Sequence, residues 1–203
     1  APIEERARSQ LELCLGQGST HMRSHVMVDG TVGVQHLEAI LAVREQYRAL
    51  IDIQLVAFPQ HGILRSPGAA DYMAEAMAMG CDRVGGLDPA GFDGDIEKHL
   101  DVVFGLAERH GAGIDIHLHD PGTLGAFEIR RIAERTRALG MEGQVSISHA
   151  YCLGQLPPDE VRPIADTLAR SGVAIVTNAP GDTTFPPVHL LREAGVNYFG
   201  GND

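Results

Sequence analysis

The chain has 203 residues, enough for one large domain, with 44% hydrophobic residues and no Trp, so its core is built from Ala, Val, Ile and Leu. Sixteen Lys and Arg against 27 Asp and Glu leave a net charge of −11. That balance argues against a nucleic-acid or acidic-membrane surface, either of which needs a basic patch, and is ordinary for a soluble enzyme.

The elements follow in a regular order. Residues 2–16 read as a helix stopped by Gly16 and Gly18. Residues 20–26 read as a strand, and 34–50 as a helix with Leu37, Ile40, Leu41 and Val43 on one face. A strand over 51–58 runs into Pro59-Gln60-His61-Gly62. A helix over 69–79 closes at Gly80, a short strand over 83–87 ends at Asp88-Pro89, and a helix over 95–110 closes at Gly111. Next comes Ile114-Asp115-Ile116-His117-Leu118-His119-Asp120-Pro121-Gly122, a β-branched strand that turns polar at its end. A helix to about Leu139 follows, then a strand over 144–149 and a helix over 158–171, with Pro158 as start signal and Gly172 as stop. A strand over 173–177, a short helix within 185–194 and a strand over 196–199 complete the pattern.

The internal strands start near 51, 82, 113, 143 and 173, one βα unit every 30 or 31 residues. Buried strands alternating with helices predict an α/β fold with a parallel sheet. Seven strands are one short of a closed (β/α)₈ barrel, and no linker divides the chain. The expectation is therefore a single domain over 1–203, a partial (β/α)₈ catalytic barrel cut at both ends.

In such a barrel the carboxyl ends of the strands share one mouth. The polar residues there are His25, Gln60, Asp88, His117 with Asp120, His149, Asn178 and Asp203. Imidazole and carboxylate are the natural ligands of zinc or iron in an N/O site, so their convergence points to a metal or acid/base centre. Period 2 puts His117 and His119 on the same side of their strand.

Five stretches carry a family resemblance: Arg23-Ser24-His25-Val26; Val56-Ala57-Phe58-Pro59-Gln60-His61-Gly62-Ile63; Ile114 to Asp120; Ser146-Ile147-Ser148-His149; and Gly195 to Asp203. Together they span almost the whole chain. The sequence resembles the amidohydrolase superfamily and, within it, the cytosine deaminase-like branch, which includes isocytosine deaminases and s-triazine aminohydrolases. The Phe-Pro-Gln-x-Gly motif is the most specific marker of that branch.

The resemblance implies hydrolytic deamination of an amino-substituted nitrogen heterocycle, with one divalent zinc or iron in the full-length protein. It implies that His117 and Asp203 bind the metal, that Asp203 also takes a proton from the attacking water, and that His149 contacts the hydroxide or the reacting group. Gln60 would hydrogen-bond the heterocycle. Asp120 falls where the family usually has a glutamate that carries a proton to the ring nitrogen. The chemistry is coherent: a divalent metal lowers the pKa of bound water toward about 7, and a positioned acid protonates the ring and the departing amine.

Two departures stand out. Asp120 is one methylene shorter than glutamate, which leaves open a cyclic amide or an N-alkylamine as the bond cleaved. The family's His-x-His pair on the first barrel strand has no counterpart. His117-Leu118-His119 is not that pair, because three strands precede it and His149 follows one unit later. A non-catalytic barrel fragment is thus the alternative reading.

Other residues carry less. His21 belongs to the outer or lower part of its strand, and His36, His99, His110 and His189 read as solvated. His61 could border the pocket, and Asp88 could line the mouth or only serve a turn. Gly85-Gly86 lacks the rest of a dinucleotide motif. Cys14, Cys81 and Cys152 are too scattered for a disulfide framework or a zinc knuckle and read as small buried hydrophobes. With no signal peptide and no membrane-spanning run, the expected setting is the cytoplasm. The expected partner is a small heterocyclic substrate, with a homo-oligomer left open.

Overall fold

The computed structural model describes residues 1–178 and 184–201. Helices and strands alternate: α1 (Ile3–Gly16), β1 (His21–Met27), α2 (Gln35–Tyr47), β2 (Asp52–Phe58), α3 (Ala69–Met79), β3 (Arg83–Leu87), α4 (Ile96–His110), β4 (Gly113–Leu118), α5 (Gly122–Ala138), β5 (Val145–His149), α6 (Cys152–Gln155), α7 (Pro158–Ser171), β6 (Ala174–Thr177), α8 (Val188–Ala194) and β7 (Tyr198–Gly200). The strands form one parallel sheet in the order β1-β2-β3-β4-β5-β6-β7. Sequential order with a helix in every connection is the product of successive βαβ crossovers.

The sheet is curled. In a flat sheet, β1 and β7 would stand six strand spacings apart, roughly 29 Å. Instead the Arg23 guanidinium carbon on β1 lies 5.7 Å from the ring centre of Phe199 on β7. Arg23 also reaches Asp115 on β4. The architecture is the expected incomplete (β/α)₈ barrel.

Strand periodicity divides polar from apolar. On β4, Ile114, Ile116 and Leu118 are fully buried in the apolar layer with Leu100, Phe104, Ile129 and Ile132 of α4 and α5. Asp115 and His117 point the other way, into the barrel interior. Each buried aliphatic side chain contributes about 1.5–3 kcal/mol, so the layer between sheet and helices supplies most of the stability. The interior is left free to be polar. In α7, Val161, Ile164, Ala165 and Leu168 form the same kind of inward stripe.

The expected stops hold: Gly80, Gly111 and Gly172 follow their helices in the left-handed region, at φ 113°, 60° and 62°. The four-residue α6 was not expected, because a single turn shows no period. One histidine is a correction. His99, read as solvated, is wholly buried, with Nδ1 2.7 Å from Asp93 Oδ2. It lies on the inward stripe of α4 with Val103, and Gly86 makes its room: a Cβ there would sit 2.8 Å from His99 Nε2. His36 is half-buried, whereas His110 and His189 are exposed. Burial pushes the Cys81 and Cys152 thiols up to about 12, so both act as small hydrophobes; Cys14 is half-buried.

Candidate metal centre and its cavity

A cavity of about 1170 Å³ opens at the carboxyl ends of the strands and runs into the barrel interior. Its floor is a hydrogen-bonded ion pair. Asp115 is fully buried and accepts from Arg23 Nη1 at 2.5 Å and from Ser148 Oγ at 2.7 Å. Arg23 is tied further to Ser146 Oγ at 2.9 Å and, through Nε, to Gln54 Oε1 at 2.8 Å. Burial alone would raise the Asp115 carboxyl, but His25, Arg23 and Ser148 outweigh it and hold the group below the usual carboxylate range.

Above this floor stand four imidazoles. His25 Nε2 is 3.2 Å from His117 Nε2 and 3.7 Å from Asp115 Oδ1. His149 Nε2 is 3.4 Å from His117 Nδ1. The His119 and His149 rings stack at 4.4 Å between centroids, tilted by 32°. Burial first, then the neighbouring His25 and His149, push the His117 ring down to about 3. It is therefore neutral at physiological pH, with a lone pair to offer. His149 sits in the left-handed region at φ 72°, followed by Ala150 at φ 48°. Such backbone costs energy in a non-glycine residue and clusters at functional sites. Here it ends β5 with the His149 ring turned into the cavity. Tyr151 holds that ring through a 3.1 Å contact from its hydroxyl to Nδ1, and donates to Asn178 Oδ1 at 3.0 Å.

Among the described residues, two sets of ligand atoms lie within 4.8 Å of one another: His117, His119 and His149, and His25, Asp115 and His117. Imidazoles crowded over one carboxylate, with His117 neutral, are the donor set of an N/O metal site, and they fit zinc or iron.

The residues read from the sequence are distributed unevenly. His117 and His149 come together as expected. Gln60 lies exposed just beyond β2 and lines the same cavity. Asp203 lies outside the described residues. Asp120 is buried behind the histidines and does not line the cavity. Its Oδ2 accepts the Gly91 N–H at 2.8 Å, an approach so close that a Cβ on Gly91 would meet Asp120 Oδ1 at 2.1 Å. The Asp120 carboxylate also lies near Glu128 of α5, which is fully buried. Glu128 Oε1 takes the Ala90 N–H at 2.8 Å, while Oε2 has no donor within reach. Burial, then the nearby Asp120 charge, push Glu128 up to about 8 against the pull of the Ala90 N–H. A proton on Glu128 removes the repulsion between the two carboxyls.

Sequence reasoning gave no role to Arg23 or Asp115. The available signal was period 2, which puts Asp115 on the same face as His117. His25 was counted among the converging strand-end residues and His119 was placed on the same side of its strand as His117, but neither was assigned a role. His61 points elsewhere, pairing through Nδ1 with Asp29 Oδ2 at 2.8 Å.

The Amidohydrolase family model matches residues 3–203. The chain belongs to the amidohydrolase family. Among its relatives is the N-isopropylammelide isopropyl amidohydrolase of Pseudomonas sp. (strain ADP), 37% identical over 180 residues, covering 89% of this chain and 45% of that protein. A crystal structure of N-isopropylammelide isopropylaminohydrolase from Burkholderia multivorans ATCC 17616 superposes with TM-score 0.91 at 48% identity, covering 93% of this chain and 48% of that one. Klebsiella pneumoniae 5-methylcytosine deaminase, liganded with 5-fluorocytosine, follows at TM-score 0.86 and 28% identity, covering 98% and 52%. This amidohydrolase chain thus spans about half the length of the relatives it matches. No described helix is long and apolar enough to cross a membrane.

Proposed function

We propose that the full-length protein is a metal-dependent aminohydrolase that hydrolyses the exocyclic C–N bond of an amino-substituted nitrogen heterocycle. The observation that carries this is the cluster of imidazoles over Asp115, at the mouth of a cavity large enough for one flat ring. The likeness to N-isopropylammelide and 5-methylcytosine enzymes supports it. The 48% identity to an isopropylaminohydrolase favours an N-alkylamino triazine over a plain amine.

In this reading one zinc or iron ion is held by His117 and Asp203, and when bound it supplies a nucleophile at neutral pH. His149, fixed by Tyr151, hydrogen-bonds the attacking oxygen or the reacting carbon's substituent. Asp203 accepts a proton. Gln60 pairs with the ring edge. Asp120 delivers a proton to the ring nitrogen after its side chain rotates away from Gly91, with the neutral Glu128 carboxyl close behind it. The substrate is a small heterocycle, and the setting is the cytoplasm.

The test is amine release by the full-length protein, loaded with zinc or iron, across a panel of aminopyrimidines and N-alkylaminotriazines. Turnover of one ring class, with N-alkylaminotriazines foremost, is expected. No release from any member at saturating metal overturns the reading.

A further inference from the structure

Gln60, read as binding the ring edge, is exposed, and its place is set by the backbone that carries it. Gln60 and His61 are the centre of a turn closed by the Gly62 N–H on Pro59 O at 2.9 Å. The chain that leaves this turn wraps around one carboxylate from the loop after β3. Asp93 Oδ2 accepts the N–H of Ile63 at 3.0 Å, and Oδ1 accepts those of Leu64 at 3.1 Å and Arg65 at 3.4 Å. Gly62 adopts φ 82° beside it, and a Cβ there would collide with Asp93 Oδ1. Behind the carboxylate stands His99 of α4, Nδ1 2.7 Å from Oδ2, and both side chains are fully buried. Burial would raise the Asp93 carboxyl, but His99 and the Ile63 and Leu64 N–H groups outweigh it and hold the group below its ordinary value. Hydrogen bonds to an ionised carboxylate are roughly twice as strong as neutral ones. On the turn's other flank Asp29 meets His61, whose ring is half exposed, so water screens that contact more than the Asp93 one.

We propose that Asp93, seated on His99, is the positioning residue for Gln60, so that the heterocycle is recognised with the help of a buried carboxylate it never touches. This rests on the aminohydrolase reading and on Gln60 as its ring-binding group. Asp93 does not line the cavity, so it acts on the substrate only through the turn. Gln60 stands three residues before the first anchored N–H, close enough for a shift at Ile63 to reach it. A displacement of about 1 Å at a positioned group can cost about 10²-fold.

The experiment compares Asp93→Asn, Gln60→Ala and the double variant in the full-length metal-loaded protein. It measures calorimetric binding of trihydroxytriazine, which has no amine to lose, KM and kcat for an N-alkylaminotriazine, and metal content by elemental analysis. In Asp93→Asn one oxygen becomes an NH₂ that faces backbone N–H groups whichever way the amide turns, so part of the anchor is lost. Binding should weaken about tenfold, the worth of one hydrogen bond. KM should rise alike, with kcat and metal content near those of the parent. The double variant should bind no more weakly than Gln60→Ala, because the anchor then has no group to place. His99→Leu should weaken binding as well, and His99→Asn, whose amide nitrogen can stand where Nδ1 stood, should recover part of it. If Asp93→Asn does not fold, Gly62→Ala disturbs the same contact from the loop side and should show the same coupling to Gln60→Ala. Effects that add in the double variant overturn the proposal, as does unaltered binding or a loss of metal in Asp93→Asn. Coupling without turnover of any triazine sinks the aminohydrolase reading alone; turnover without coupling sinks this inference alone.

Discussion

Arg23 on β1 and Asp115 on β4 meet across the barrel interior, Nη1 to Oδ2 at 2.5 Å, with the carboxylate fully buried and the guanidinium about one-fifth exposed. Two strands lie between them in the sheet. Their contact fixes the curl, and it places an anion directly under His25 and His117.

Removing one partner of such a pair leaves a buried charge uncompensated, at a cost of about 3–5 kcal/mol. Arg23→Leu should lower stability by that amount, and a double Arg23→Leu, Asp115→Leu variant by less than the sum of the two singles. Urea midpoints of the four proteins check this. The Asp115 carboxyl is held below its ordinary value, so the folded state binds fewer protons than the unfolded one there. Its contribution is complete above the ordinary carboxylate range and is lost as pH falls through the native value. The Arg23→Leu variant should lose less stability on acidification than the parent.

Glu128 behaves in the opposite sense. Its carboxyl is raised from 4.5 to about 8, so between those values the folded chain keeps a proton that the unfolded chain releases. Stability therefore falls as pH rises through that window and levels off above it. At about 1.4 kcal/mol per unit, the effect is on the order of a few kcal/mol. Glu128→Gln should flatten the profile between pH 4.5 and 8, as read by thermal midpoints across a buffer series. A profile that keeps its slope would show that Glu128 is ionised in the fold.

In the full-length protein, His117→Ala should cut the metal-to-protein ratio strongly, because the ring is neutral, buried and central to both ligand sets. His149→Ala should keep most of the metal while losing turnover. An unchanged ratio in His117→Ala, by elemental analysis, rules out the ligand assignment.

Asp120→Asn keeps the side-chain shape and the acceptor for the Gly91 N–H. As an acid/base group its loss should lower kcat by about 10²–10⁴, with metal content and thermal stability nearly unchanged. An Asn variant with full rate on its best substrate would leave Asp120 a purely structural partner of Gly91 and Glu128.

Much of this was legible in the chain itself. Helix and strand limits follow from local periodicity and from stop signals such as Gly80, Gly111 and Gly172, which act within a few residues. The regular βα spacing dictated a parallel, barrel-type sheet, and period 2 along β4 separated Ile114, Ile116 and Leu118 from Asp115, His117 and His119. Which polar residue meets which was decided only by the curl, since it depends on residues 31 to 92 apart in the chain closing over one interior. The Arg23–Asp115 floor, the His25–His117 contact and the Asp88–His119 pair all arise that way. The same holds where sequence reasoning misplaced a group. His99 looked polar and solvated until Gly86 on the neighbouring strand gave it a buried seat. Asp120 stood at the mouth by position, yet Gly91, 29 residues away, and Glu128 on the following helix held its carboxylate out of the cavity. Local sequence sets which face a side chain leaves the backbone on; the partners that then orient it belong to the assembled barrel.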